Sequence, residues 1–318
     1  MRFHLISFRS RRRAGPHAVR RSGGRPSRRR DAFRLGLAPA LIVLALITIA
    51  PATYLFLTSL TPLNLTLPDS AWDFSAPFNN YLELLDDPRF SRSVWVQVKL
   101  SVATVAVQLA MGLGVALLLN SDTPIRRFAR SGFLIPMVLP PIVVGIVWRV
   151  MYAVDISPFH RLMDWIGLPV GSLITNPDTA LWAIVIAESW EWFPFTMLMA
   201  LAALQMVPAA PIEAARIDGA NEWQTFRYVV FPYIQQTMLV AGIFRLIDSI
   251  KAFPLIFVLT DGGPGDVTEV TNYYAYRQAF TFSLWGYGSA IATLMVIGIF
   301  VLSWAIDRLT RAADAEAG

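Results

Sequence analysis

From Leu35 to Pro68 the sequence carries no Asp, Glu, Lys or Arg, and most of those positions are apolar. The hydrocarbon core of a bilayer is about 30 Å thick and takes about 20 helical residues to cross. Inside it, only a helix or a closed barrel satisfies every backbone N–H and C=O. The run LGLAPALIVLALITIAPATYLFLTSL therefore reads as a first membrane span. Five further stretches follow: Leu100–Ser121, Ser131–Trp148 (ending before Arg149), Ala180–Leu204, Tyr228–Leu259 and Gln278–Ile306. The fourth span is interrupted by Glu188 and Glu191, and the fifth by Arg245, Asp248 and Lys251. The expected fold class is an all-α polytopic membrane protein with six transmembrane helices.

Composition agrees with that reading. Of 318 residues 55% are hydrophobic and only 15% charged, against about 25% charged in soluble domains. There is no cysteine, and the three histidines (His4, His17, His160) are scattered, so neither a thiolate nor a histidine metal site is expected. No GxxxxGK[ST], HExxH or GxSxG segment occurs; no catalytic residue and no cofactor are expected on this chain. Any work it does with ATP needs a partner.

The charge is unevenly placed. Residues 1–34 hold 12 Arg and one acid, Asp31, while the remainder is net negative. Such a tail could bind nucleic acid or anionic lipid, but it abuts an apolar span and reads as a cytoplasmic topology anchor. Its Gly, Pro and Ser content predicts disorder. It is not a cleavable signal peptide, because the following apolar run is too long for an h-region. Counting Lys and Arg in the connections gives nineteen on the side of both termini and four (Arg89, Arg92, Arg161, Arg277) on the other. Both termini are therefore expected in the cytoplasm of a multi-pass plasma or inner-membrane protein. The organisation expected is an Arg-rich tail (1–34), a six-helix domain (35–307) and a cytoplasmic C-terminal tail (308–318). No soluble domain, heptad or solenoid repeat is present.

The connection between spans four and five, about residues 205–233, is the informative one. It reads QMVPAAPIEAARIDGANEWQTFRYVVFPYI. Pro208 and Pro211 suit a first helical turn, Ile212–Ile217 are good helix formers, and Gly219 supplies a stop. A second amphipathic helix with Trp223, Phe226, Tyr228, Val229 and Val230 is expected before Pro232. A short, rigid helix on the cytoplasmic face is a docking element.

The segment EAARIDGANEWQTFRYVVFP resembles the EAA-x-x-x-G…P loop of the integral-membrane subunits of binding-protein-dependent ABC importers, through Glu213, Ala214, Ala215, Asp218, Gly219, Ala220, Phe226 and Pro232. AWDFSAPFNNY (Trp72–Tyr81) and LTDGGPGDVTEVTNYYAYRQAF (Leu259–Phe280) are similar to outer loops of the carbohydrate branch, of maltose and glycerol-phosphate type. The resemblance spans about residues 35–307; the Arg-rich tail lies outside it. It implies a type I ABC importer permease fold without enzymatic activity. It implies as partners a second homologous permease subunit, an ABC ATPase dimer that binds ATP and Mg, and an extracytoplasmic solute-binding protein; nucleic acid is not among them. The solute would be a sugar or sugar-like compound, the alternative being a permease for phosphonate, amino acid or polyamine. Carried over position by position, Glu213 and Arg216 would contact the ATPase. Ala214 and Ala215 would allow close packing and Gly219 would permit the sharp turn, with Asp218 counted in the same coupling segment. Outside that family, the same residues would be an ordinary capped helix.

Ionisable groups inside a bilayer are costly and commonly functional. Glu188 and Glu191 lie at i,i+3 beside Trp190 and Trp192, and Arg245, Asp248 and Lys251 repeat every third residue. These faces are candidates to line the translocation path, where rings stack on sugar faces and carboxylates accept hydroxyl hydrogen bonds. The alternative is an interior network pairing Asp248 with Arg245 or Lys251, and Glu188 or Glu191 with Arg149. Trp190 and Trp192 point about 200° apart on a helix, so one of them is expected to pack elsewhere.

Overall fold

The computed structural model describes residues 26–121, 123–167 and 171–317. Its regular elements are all helical: α1 Pro26–Ser59, α2 Asn79–Asp86, α3 Pro88–Leu119, α4 Pro124–Phe133, α5 Ile135–Val138, α6 Pro141–Met151, α7 Pro158–Trp165, α8 Ala180–Gln205, α9 Ala209–Ile217, α10 Glu222–Thr225, α11 Phe231–Ser249, α12 Pro254–Leu259, α13 Thr271–Tyr276 and α14 Trp285–Ala317. Five stretches are long and apolar enough to cross a bilayer, Leu37–Ser59, α3, α8, Glu222–Ser249 and Trp285–Ile306. The bent pair Pro124–Val138 and Pro141–Met151 makes a sixth when taken as one span.

The boundaries differ from those expected in instructive ways. Residues 1–25 of the Arg-rich tail lie outside the described residues, but Pro26–Arg34 are already helix and continue into the first span. Arg is a good helix former, so nothing stops the helix at residue 34. At the other end α14 runs through residue 307 without a break, carried by alanines and acids. Span two begins at Pro88, because Asp87 caps it and accepts a hydrogen bond from the Arg89 amide at 2.8 Å. Span six begins at Trp285 rather than Gln278: Arg277–Thr281 form a π-helical turn, and Ser283 at φ 62° breaks the chain direction.

Spans three and five are each broken. Leu139 and Pro140 are extended, with ψ 140° and 138°, and the axis turns by 97° between α5 and α6. A proline disfavours helix at the residue before it and donates no N–H, so Pro140-Pro141 cannot continue a helix. Span five stops at Ser249 and resumes as α12 at Pro254. The two pieces beyond the breaks, α6 and α12, meet closely at Gly145. A Cβ there would stand 2.9 Å from the Cβ of Val258.

The chain forms two units, residues up to Ala52 and from Thr53 onward. In the first, the described part of α1 exposes Leu41, Ile42, Val43, Leu44, Leu46 and Ile47. Apolar side chains turned outward all round belong to a helix whose surroundings are not water. In the second unit, α3 and α8 form the closest helix pair. A Cβ on Gly112 would lie 2.0 Å from Thr196 Oγ1, and that hydroxyl donates to the Gln108 carbonyl at 2.6 Å. Small residues at a contact let membrane helices approach and gain dispersion and hydrogen bonds, the forces available where lipid is as apolar as leucine. One apolar cluster joins Leu100, Val144, Ile184, Ile256 and Tyr273. A second joins Ala116, Met197, Leu201, Leu204 and Ile234. They brace the two ends of α8, and the charged residues of its middle lie between them.

Candidate functional site

Two places collect the residues singled out in the sequence. The first is the connection after α8. Pro208, extended at ψ 142°, caps α9, and the helix closes at Asp218. Gly219 stands at φ +81°, its N–H donating to the Arg216 carbonyl at 3.1 Å, while Ala220 N–H donates to Ala215 at 3.0 Å. This pair of bonds is the Schellman closure, which needs the left-handed conformation glycine adopts without strain. Asn221 then opens α10 with a reciprocal box: its Oδ1 accepts from Gln224 N–H at 2.8 Å, and Gln224 Oε1 accepts from Asn221 N–H at 2.9 Å. That box, Asn-x-x-Gln, is legible in the sequence but was not among the features read there.

The second expected helix is not separate from span five. α10 passes through a π-helical turn, Phe226–Val230, straight into α11. Pro232 has no N–H for the Tyr228 carbonyl, and a wide turn keeps its ring clear of that oxygen. The connection is thus a lever: α9 at its tip, and a base anchored where Phe226, Val230 and Phe231 pack on the apolar cluster between α3, α8 and α11. Glu213, Ala214, Arg216, Asp218 and Gly219 are exposed and Ala215 is half-buried. Ile217 and Trp223 are 86% and 70% exposed. Charged groups around large uncovered apolar side chains form a surface shaped for another macromolecule.

The second place is inside the membrane-spanning bundle. Arg245 of α11 is 2% exposed and reaches three helices. Its Nε donates to Gln108 Oε1 of α3 at 2.8 Å, its Nη1 donates to Asp248 Oδ2 at 2.5 Å, and its Nη2 lies 3.5 Å from Glu188 Oε1 of α8. Its guanidinium also sits 4.4 Å from the ring centre of Trp192. Gln108 in turn donates to the Glu188 carbonyl at 3.3 Å. Arginine suits this place, because a planar fork with five donors serves several acceptors and still stacks on a ring.

The pairing expected between Arg245 and Asp248 is present; that of Arg149 with Glu188 or Glu191 is not. Arg149 Nη1 donates instead to the Val258 carbonyl at 3.0 Å, holding α6 to α12. Because span three is broken, Arg149 rides on α6 and is held there. Lys251 lies beyond the end of α11, so it does not continue the Arg245–Asp248 face. It reaches the same cavity as Asp248 from the turn that follows. The two tryptophans diverge as helical geometry requires: Trp190 packs on Trp148 with ring centres 5.9 Å apart, whereas Trp192 faces the cavity. That cavity, of about 190 Å³, is lined by Glu188, Glu191, Trp192, Asp248 and Lys251, with Pro141 and Pro254 at the two helix breaks.

A third cluster lies on the side opposite α9 and was missed in the sequence. Glu269, 1% exposed, takes Arg89 at 2.6 Å and Arg277 at 3.2 Å. Arg92 meets Asp266 at 2.6 Å. Asp87 Oδ2 accepts from the hydroxyls of Tyr274 at 2.5 Å and Tyr287 at 2.7 Å. Burial pushes the Asp87 carboxyl up, but those hydroxyls and the Arg89 and Phe90 amides outweigh it, leaving it below the usual carboxylate range. These bonds tie the start of α3 to the Gly-Gly-Pro-Gly loop and to α13. Apart from Arg277, eight positions from Glu269, the partners stand 174 to 200 positions apart, beyond the reach of any local pattern.

The family described as binding-protein-dependent transport system inner membrane component matches residues 108–314. A probable ABC transporter permease protein, y4oQ of Sinorhizobium fredii, is 36% identical over 87% of this chain and 90% of its own length. The trehalose/maltose transport system permease protein MalF of Thermococcus litoralis is 33% identical over 86% and 90%. Among solved structures, that of a bacterial ABC transporter importing the acidic polysaccharide alginate has a chain similar at a TM-score of 0.77. It is 19% identical and covers 90% of this chain and 97% of its own.

Proposed function

We propose, from the premise that this chain belongs to the family of inner-membrane components of binding-protein-dependent transport systems, that it forms half of the transmembrane path of a sugar importer and is driven through α9. The family is one of transporter permeases and not of enzymes. The sugar assignment rests on the trehalose/maltose relative, similar along 86% of this chain, and it is preferred to a phosphonate, amino-acid or polyamine permease. ATP and Mg belong to an ATPase dimer on the cytoplasmic side. A second permease subunit completes the path, and an extracytoplasmic binding protein delivers the solute. Both termini lie in the cytoplasm, as the nineteen-to-four distribution of Lys and Arg supports.

The observation that carries the reading is the exposed α9 lever, closed at its C-terminus by the Schellman bonds of Gly219 and Ala220. Closure of the ATPase dimer moves α9, and a lever whose base is packed against α3, α8 and α11 passes that movement into the spans. A switch of this kind requires that ATP binding differ in affinity between the two states of the pore. Along the path, Glu188, Glu191, Trp192, Asp248 and Lys251 form the wall, and Arg245 holds it together from behind.

Co-purification with the ATPase subunit tests this. Glu213→Lys reverses the charge on an exposed face without touching the fold, so membrane insertion persists while ATPase capture and uptake fall together. Wild-type capture and uptake in that variant would remove α9 from the docking surface.

A further inference from the structure

The wall of the cavity carries more than one would need for any solute. Glu191 is 1% exposed, and among the described residues neither of its carboxylate oxygens has a hydrogen-bond partner. A buried acceptor of that kind is costly unless something brings donors to it. Arg245 gives it no hydrogen bond: its Nε donates to Gln108, its Nη1 to Asp248, and its Nη2, without a hydrogen-bond partner among the described residues, stands 3.5 Å from Glu188. Lys251 makes no salt bridge with Glu191 although both line the same space. The cavity therefore holds an unserved acceptor on the α8 side and an ammonium on the other, around a volume of about 190 Å³. That is the room of about six waters at liquid density, the scale of one sugar ring.

We infer that Glu191 is a specificity-determining residue of the path, selecting a neutral, hydroxyl-bearing sugar unit and rejecting acidic sugars. This rests on the path reading above. Hydroxyls donate to Glu191 and accept from Lys251, so a neutral sugar ring satisfies both walls at once. A uronate or sulfonate unit meets Glu188, Glu191 and Asp248 with like charge, and like charges brought together in a site of reduced dielectric are strongly disfavoured. A site whose polar groups are built to bond hydroxyls also loses affinity for analogues that leave those groups unpaired.

The test measures binding of two tritiated probes to the purified, fully assembled transporter: trehalose and a glucuronyl disaccharide. Wild type is expected to bind trehalose about tenfold or more tightly than the glucuronyl probe. Glu191→Gln keeps the side chain's shape and is expected to bring the glucuronyl probe to within about threefold of trehalose. Glu191→Asp keeps the charge and the discrimination. Size exclusion confirms that each variant assembles. The inference is overturned if the wild-type transporter fails to bind trehalose or binds the glucuronyl probe as well, or if Glu191→Gln discriminates as wild type does. Trp192→Ala separates the two levels. If it loses trehalose while Glu191→Gln still discriminates, only the specificity role falls; if both variants bind as wild type, the path reading falls with it.

Discussion

Gly219→Ala is the most informative single change to the lever. The left-handed φ of +81° is open to glycine at no cost, while an L-residue pays about 1–2 kcal/mol for it. Sterics beyond the backbone add nothing, because a Cβ built at Gly219 meets no atom within 4 Å. The whole effect is thus conformational strain, and about 1.4 kcal/mol corresponds to a tenfold change in equilibrium. The Schellman bonds from Gly219 to Arg216 and from Ala220 to Ala215 open first, and α9 loses its fixed angle to α10. The expected result is ATPase affinity lowered about tenfold, with insertion and detergent stability within error of wild type. Gly114→Ala provides the control. A Cβ there also meets nothing within 4 Å, but Gly114 sits inside α3, where alanine gains about 1 kcal/mol. Affinity is measured by titrating purified ATPase subunit onto the permease in nanodiscs. Unchanged affinity in Gly219→Ala, or an equal loss in Gly114→Ala, would refute the reasoning.

Three further outcomes follow from the buried and outer clusters. Arg245→Met leaves Glu188, Asp248 and Gln108 without their shared donor, and removing one member of a buried ionic network costs about 3–5 kcal/mol; thermal unfolding in detergent should show a large loss, partly recovered in the double variant with Glu188→Gln. Trp190→Ala is expected to lower stability without changing solute binding in the assembled complex, because its ring packs on Trp148, whereas Trp192→Ala is expected to lower uptake at near-normal assembly; uptake in proteoliposomes together with size exclusion separates the two. Asp87, held below the usual carboxylate range by Tyr274, Tyr287 and backbone amides despite burial, contributes stability that is complete above its unfolded-state pKa and is lost as pH falls through its lower folded-state value; melting curves taken down the acid range should show a loss that is absent in Asp87→Asn.

How much of this was legible in the sequence depended on distance along the chain. The six apolar runs, the α9 helix and its glycine stop are written in consecutive residues, and a period of 3.6 was enough to set Trp190 and Trp192 on opposite sides. The two breaks were also on the page, in Pro140-Pro141 and Pro254, but apolarity alone reads across a proline. Having read across the first, the sequence placed Arg149 just past a straight span and within reach of the α8 carboxylates, whereas the broken span carries it to Val258. Gln108 was hidden differently. An uncharged polar residue in an apolar run has no signal of its own until α11 is folded against it and Arg245 arrives. The Arg89–Glu269 pair and the Asp87–tyrosine cluster join residues 180 to 200 positions apart, which only the packed bundle brings together.

The central claim is that α9 is where the ATPase holds this permease, and a photo-crosslinking amino acid placed at Arg216 tests it most directly. Arg216 is exposed at the last turn of α9, and Arg126, exposed near the start of α4, serves as a second position on the same side of the membrane. Irradiation of membranes containing the assembled transporter is expected to join the permease to the ATPase subunit from position 216, with the yield changing when ATP is trapped in the dimer. No adduct with the ATPase from position 216, in a complex that still hydrolyses ATP in response to delivered solute, would contradict the account.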